Sequence, residues 1–128
     1  MKTCLIVDEA PVIRKIAFRL LRREGLDVDT LATMAEAGSW IDSHGAPDIL
    51  IVAANLQDKA IVDEIKILRQ RTAGSTRLVA MIVEANLGLM TRLRRAGVEN
   101  YIYKPFTRQS LEEGLGAYLI DAEEPAVA

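Results

Sequence analysis

Three stretches of this chain, residues 3–7, 49–53 and 78–83, are apolar almost throughout and only five or six residues long. A strand with one wet face alternates polar and apolar side chains, whereas a strand covered on both faces need not. Such runs belong in the middle of a parallel sheet. Between them the apolar period lengthens to that of a helix, so the chain passes from strand to helix and back several times. That alternation predicts an α/β fold, a parallel sheet with helices on both faces.

Local signals set the boundaries. Over 10–24, Val12, Ile13, Ile16, Ala17, Leu20 and Leu21 fall on one helical stripe. Pro11 suits the first turn, where its missing N–H costs nothing, and Gly25 ends the helix. A weaker alternation at 27–31 suggests a short, more exposed strand. Thr33 and Glu36 form a capping-box pattern that opens a helix to about Ser43, stopped by Gly45 and Pro47. A third helix is expected at roughly 59–71, with Ile61, Ile65, Leu68 and Val62 inward. Asn86 can cap a fourth, which carries Leu89, Met90 and Leu93 and closes at Gly97. Residues 100–103 give a last strand, and Thr107 can cap a final helix to about Leu119. Gly114 and Gly116 weaken that helix by about 1 kcal/mol each relative to alanine. One domain over 1–120 and a flexible acidic tail over 121–128 are expected.

The charge balance excludes some functions. Sixteen basic and 18 acidic residues leave a net charge of −2, with no global pull towards nucleic acid or membrane. No apolar stretch reaches the ~20 residues of a membrane span, and the N-terminus does not read as a signal peptide, so the expected compartment is the cytoplasm. The single cysteine, Cys4, allows no intrachain disulfide and suits a buried inert thiol. The single histidine, His44, is expected at the surface, and no nucleophile–His–acid arrangement can be built on it. Trp40 and Met34 are expected to pack, and no Gly-rich phosphate loop is present.

Folds of this class collect functional residues at the carboxyl ends of their strands. Those ends carry Asp8-Glu9, Ala53-Ala54-Asn55, Ile82-Val83-Glu84 and Lys104-Pro105-Phe106. An acidic pair facing a lysine can hold a divalent cation and a phosphoryl group: carboxylates are hard ligands for Mg²⁺, and the ammonium neutralises phosphoryl oxygens.

The opening from Met1 to Lys15 resembles the chemotaxis-type receiver domains of bacterial two-component response regulators. So do Pro47-Asp48, Ala96-Gly97 and Tyr101-Ile102-Tyr103-Lys104-Pro105-Phe106. The resemblance covers nearly the whole chain and implies a doubly wound, flavodoxin-like sheet of order 2-1-3-4-5 with five helices. In that family a histidine kinase or phosphotransfer protein donates phosphoryl to an aspartate ending the third strand. Mg²⁺ is held by the acidic pair, the acceptor and a nearby carbonyl. A hydroxyl residue ending the fourth strand grips the phosphoryl group, and an aromatic on the fifth turns inward.

Carried over, Asp8 and Glu9 are the acidic pair, Asn55 supplies the carbonyl position, Lys104 is intact and Tyr101 takes the switch position. Ala53 stands in the acceptor's place and Ile82 in the hydroxyl's, and the Met-Pro…Gly loop reads Leu56-Gln57 with Ile61 at the glycine position. Asp48 falls at the wrong end of the sheet, about 17 Å away at ~3.3 Å per residue. Asp58 reaches the pocket only through an unusual loop. The expectation is a pseudo-receiver that binds partners and is not an enzyme, monomeric or weakly dimeric, with no DNA-binding domain. Its cofactor is none, or Mg²⁺ held weakly by Asp8 and Glu9; alternatively those acids pair with Lys104 and shut the pocket.

Three surfaces compete for partners. Arg14, Lys15, Arg19, Arg22 and Arg23 make a cationic first helix, the face that such domains offer to kinases and phosphotransfer proteins, or a solvated face. Tyr101 with Arg92 and Arg95 marks a possible output surface. Arg92, Arg94 and Arg95 serve the fourth helix's dipole or, in the alternative function, a cyclic nucleotide.

Overall fold

The apolar runs form the strands the sequence predicts. The computed structural model describes residues 2–55, 58–72, 74–105 and 107–123. The elements are β1 (Thr3–Val7), α1 (Pro11–Arg23), β2 (Asp27–Leu31), α2 (Met34–His44), β3 (Ile49–Ala53), α3 (Ile61–Thr72), β4 (Arg77–Ile82), α4 (Leu87–Ala96), β5 (Asn100–Tyr103) and α5 (Arg108–Glu123). All strand pairs are parallel, in the order β2-β1-β3-β4-β5. This is the flavodoxin-like arrangement.

Because successive strand residues point to opposite faces, the sheet divides its apolar side chains between two cores. Leu5, Val7, Leu50, Val52, Leu78, Ala80 and Ile82 pack against α2, α3 and α4. Cys4, Ile6, Ile49, Ile51, Val79, Met81 and Ile102 pack with Ala17 and Leu21 of α1 and Leu111 and Leu115 of α5. Each fully buried aliphatic side chain contributes about 1.5–3 kcal/mol, so the doubled core explains why the central strands need no polar face. Burial pushes the Cys4 thiol pKa far upward, which keeps it an inert part of the second core.

The caps follow the sequence. The Thr33 hydroxyl accepts from the Glu36 N–H at 3.1 Å, Asn86 Oδ1 accepts from the Leu89 N–H at 2.9 Å, and the Thr107 hydroxyl accepts from the Ser110 N–H at 3.0 Å. Gly97 closes α4 in the left-handed conformation, with φ of 114°.

Several expectations need correction. Only Ile13, Ala17, Leu20 and Leu21 of the α1 stripe face the core; Val12 is 66% exposed and Ile16 39%. A helix lying on one sheet face covers an arc too narrow for all six. β4 ends at Ile82, and Val83 projects into solvent. α3 begins at Ile61, two residues later than expected. α5 runs to Glu123, so residues 121–123 of the expected flexible tail are helical, while 124–128 lie outside the described residues. Gly114 has a packing reason: a Cβ there would stand 2.8 Å from the Tyr101 carbonyl oxygen and 2.5 Å from Ile102 Cγ1. Its propensity cost lets α5 lie tight on β5, where the Asn100 amide donates to the Gly114 carbonyl at 2.9 Å.

Candidate functional site at the carboxyl edge of the sheet

Strand register builds the site. Val7 pairs with Val52, so the next residues, Asp8 and Ala53, stand side by side at the carboxyl edge of the sheet. Both alternate with side chains of the α2–α4 core and so fall on the α1/α5 side, as does Lys104 two residues after Ile102. They border a cleft of about 280 Å³ whose wall also includes Glu9, Thr33, Asn55, Asp58 and Glu64.

Asp8 is the centre of its contacts. It is 3% exposed. Its Oδ1 accepts from the Ala10 N–H at 2.9 Å, just ahead of α1. Its Oδ2 lies 2.8 Å from Lys104 Nζ, the only partner of that oxygen among the described residues. The angle is poor for a hydrogen bond, so the contact is chiefly coulombic. Its carbonyl accepts from Arg14 Nη1 at 2.6 Å. The Lys104 backbone N–H donates to the Ile82 carbonyl at 2.9 Å, which fixes the lysine's position beside β4.

Glu9 is exposed. Asn55 Oδ1 accepts from the Asp58 N–H at 2.9 Å, and Asp58 Oδ1 accepts from the Ala60 N–H at 3.1 Å. This turn brings Asp58 to the same cleft. It also brings in Glu64, which the sequence reading missed although it lies three residues after Ile61 on α3. Burial, and then the neighbouring Asp58 charge, push the Glu64 carboxyl pKa upward.

Ile82 does not belong to this cleft. Strand alternation turns it into the α2–α4 core, 1% exposed, and it borders a second cleft of about 260 Å³ with Ala54, Val83, Glu84, Asn86 and Leu89. Asn55 borders both. Leu56, Gln57 and Phe106 lie outside the described residues. Asp48 sits at the opposite edge of the sheet, where its carboxylate accepts from the Thr3 N–H at 2.9 Å.

The donors available do not fit a tightly held Mg²⁺. β3 ends in the methyl group of Ala53, Asp8 Oδ1 is taken by the Ala10 N–H while Oδ2 faces the Lys104 ammonium, and among the described residues no three acidic, histidine or cysteine side chains gather as a metal site.

Tyr101 is half-buried beside α4, its hydroxyl donating to the Met90 carbonyl at 2.7 Å, with the Arg94 guanidinium 5.8 Å from its ring centroid. Arg92 donates to the Gly88 carbonyl within α4 at 3.4 Å, and Arg95 is exposed. On α1, Lys15, Arg19, Arg22 and Arg23 are exposed, while Arg14 is half-buried against Asp8. Trp40 donates to Asp29 at 2.7 Å and stacks on the exposed His44 at 4.5 Å, and Met34 packs on the core. No helix among the described residues is long and apolar enough to cross a membrane.

The comparisons agree with this geometry. The profile of the response regulator receiver domain matches residues 4–115. The chain is 30% identical over 118 residues to chemotaxis protein CheY1 of Helicobacter pylori, covering 90% of this chain and 94% of that one. It is 27% identical to the probable transcriptional regulatory protein TcrX of Mycobacterium tuberculosis, covering 91% of this chain and 49% of that one. A response regulator from Thermotoga maritima superimposes with a TM-score of 0.82 at 21% identity, over 94% of this chain and 98% of that one. The chain belongs to the response regulator receiver domain family of two-component signalling.

Proposed function

We propose that this receiver domain is a phosphorylation-independent binding module, set by its own sequence and its partners rather than by phosphoryl transfer. The observation that carries the reading is Ala53 beside the Asp8–Lys104 pair. The position matched to the acceptor is a methyl group, and the lysine that would meet a phosphoryl group is occupied by a buried carboxylate. Similarity to chemotaxis proteins supports a signalling role. Its partners are a histidine kinase, a phosphotransfer protein or a downstream target, met through α1 or through the α4–β5–α5 surface. It acts by that contact or by competing with a phosphorylatable paralogue.

An amide NMR titration with Mg²⁺ and then beryllofluoride tests this. Amides at Asp8, Asn55 and Lys104 are expected to stay in place. Saturable shifts that spread to Tyr101 overturn the reading. Asp58 faces the cleft and is the rival acceptor. Incubation with a small phosphodonor and Mg²⁺ is expected to leave the mass unchanged, and a gain of one phosphoryl group mapped to Asp58 restores a phosphorylatable receiver.

A further inference from the structure

Arg14, Lys15 and Arg19 of α1 line a groove with Pro11, Phe18 and, from β2, Thr30. At about 560 Å³ it is within the range of small-ligand pockets. No carboxylate lines it. Four other cations sit against acids, Arg71 with Asp42, Arg77 with Glu99, Lys104 with Asp8 and Arg108 with Glu112. Among the described residues Arg14, Lys15 and Arg19 make no such pair. What sets these three apart is that they share one concavity whose lining holds no acid. They repel one another, and an anion relieves that repulsion.

The lining fixes the kind of anion. It spans Pro11 to Arg19 along α1, about 12 Å at ~1.5 Å per residue, which suits a compact polyanion rather than an extended acidic segment. Arg14 is held in place by the Asp8 carbonyl, and guanidinium forks grip phosphate oxygens in pairs, with Lys15 as a point charge between them. The Phe18 ring is 37% exposed beside these charges; the Arg22 guanidinium lies over one face, 5.5 Å from the centroid, so a planar base would stack on the other face, and the Thr30 hydroxyl can donate or accept.

We propose that this groove binds an oligophosphate, with a nucleoside polyphosphate favoured over the inorganic chain by stacking on Phe18. The site is separate from the acidic cleft and does not depend on how that cleft is read.

The test is an amide NMR titration of the full chain in EDTA, at moderate salt, with ATP, AMP, adenosine, inorganic tripolyphosphate and a short poly-glutamate peptide. Saturable shifts at Arg14, Lys15, Phe18, Arg19 and Thr30 are expected with ATP and tripolyphosphate. AMP should bind at least tenfold more weakly and adenosine not at all. The double variant Lys15→Glu, Arg19→Glu should lose at least tenfold in ATP affinity while its spectrum stays dispersed, and Arg92→Glu, Arg95→Glu should lose none. Phe18→Ala should bring ATP down to the affinity of tripolyphosphate. Equal affinity of the two in the parent chain keeps the oligophosphate site and removes the base. No saturable shift, equal loss in both double variants, or a response to poly-glutamate without one to ATP overturns the proposal.

Discussion

Along the carboxyl edge of the sheet the molecule changes character. On the β1–β5 side an aspartate and a lysine meet in a nearly dry contact, and the same aspartate holds the start of α1 and the Arg14 side chain. On the inner side, where β3 and β4 end between those two strands, stand a methyl group and a core isoleucine. The first side depends on polar groups that satisfy one another, and the second on packing alone. Removing a polar partner therefore leaves an uncompensated group, whereas adding a polar group on the aliphatic side displaces hydrocarbon.

The largest effect is expected from Ile82→Thr, which restores a hydroxyl where the family resemblance implies one. It removes buried hydrocarbon and leaves a hydroxyl among aliphatic neighbours, at a cost of about 3 kcal/mol. Urea denaturation measures it; a loss near zero would mean that Ile82 behaves as a pocket residue and the contrast is wrong. Lys104→Met strips Asp8 of its cation. Partners of buried pairs cost several kcal/mol to remove, and partial solvent access of Lys104 (22% exposed) reduces this to about 2 kcal/mol. An unchanged denaturation midpoint would show that the polar side is not held by that pair.

Ala53→Asp places a carboxylate beside Asp8 and makes the two sides alike. In metal-free buffer it should destabilise by about 1 kcal/mol through like-charge crowding. Mg²⁺ should then raise its melting temperature and leave the parent's unmoved, as expected when an ion binds only the folded variant. An equal response in the parent would mean that the cleft already holds Mg²⁺.

The smallest effect concerns Glu64. Its carboxyl pKa is raised in the folded state by burial and by Asp58. The folded form therefore binds the proton more tightly than the unfolded chain. Stability falls as pH rises from the unfolded value through the raised one, and the penalty is complete above it. Glu64→Gln should stabilise the protein by about 0.3 kcal/mol at neutral pH, allowing for solvent screening, and lose that gain below about pH 4. A gain that persists in acid would assign the effect to packing.

Much of the fold was legible because burial on both faces leaves so plain a mark at 3–7 and 49–53, and because Thr33, Asn86 and Gly97 act locally. What escaped depends on the third dimension. Val12 and Ile16 share a helical stripe with core residues, yet α1 meets only one face of the sheet. Ile82 lies one residue out of phase with Ala53, and only the register shows that it turns into the opposite core. Asp58 and Glu64 reach the cleft from a loop residue and from the first turn of α3, and no pattern in the sequence singles them out. Gly114 reads as a weak point until β5 is seen against it.

Asp8 and Lys104 are also the residues by which a motif search would certify this chain as chemically competent. Their contacts describe fasteners: through its carboxylate and its backbone carbonyl, Asp8 ties the end of the first strand to the start of the first helix and to the lysine that follows the fifth strand. Fasteners stay necessary whether or not a reaction is carried out between them. A signature made of such residues testifies to architecture as well as to chemistry.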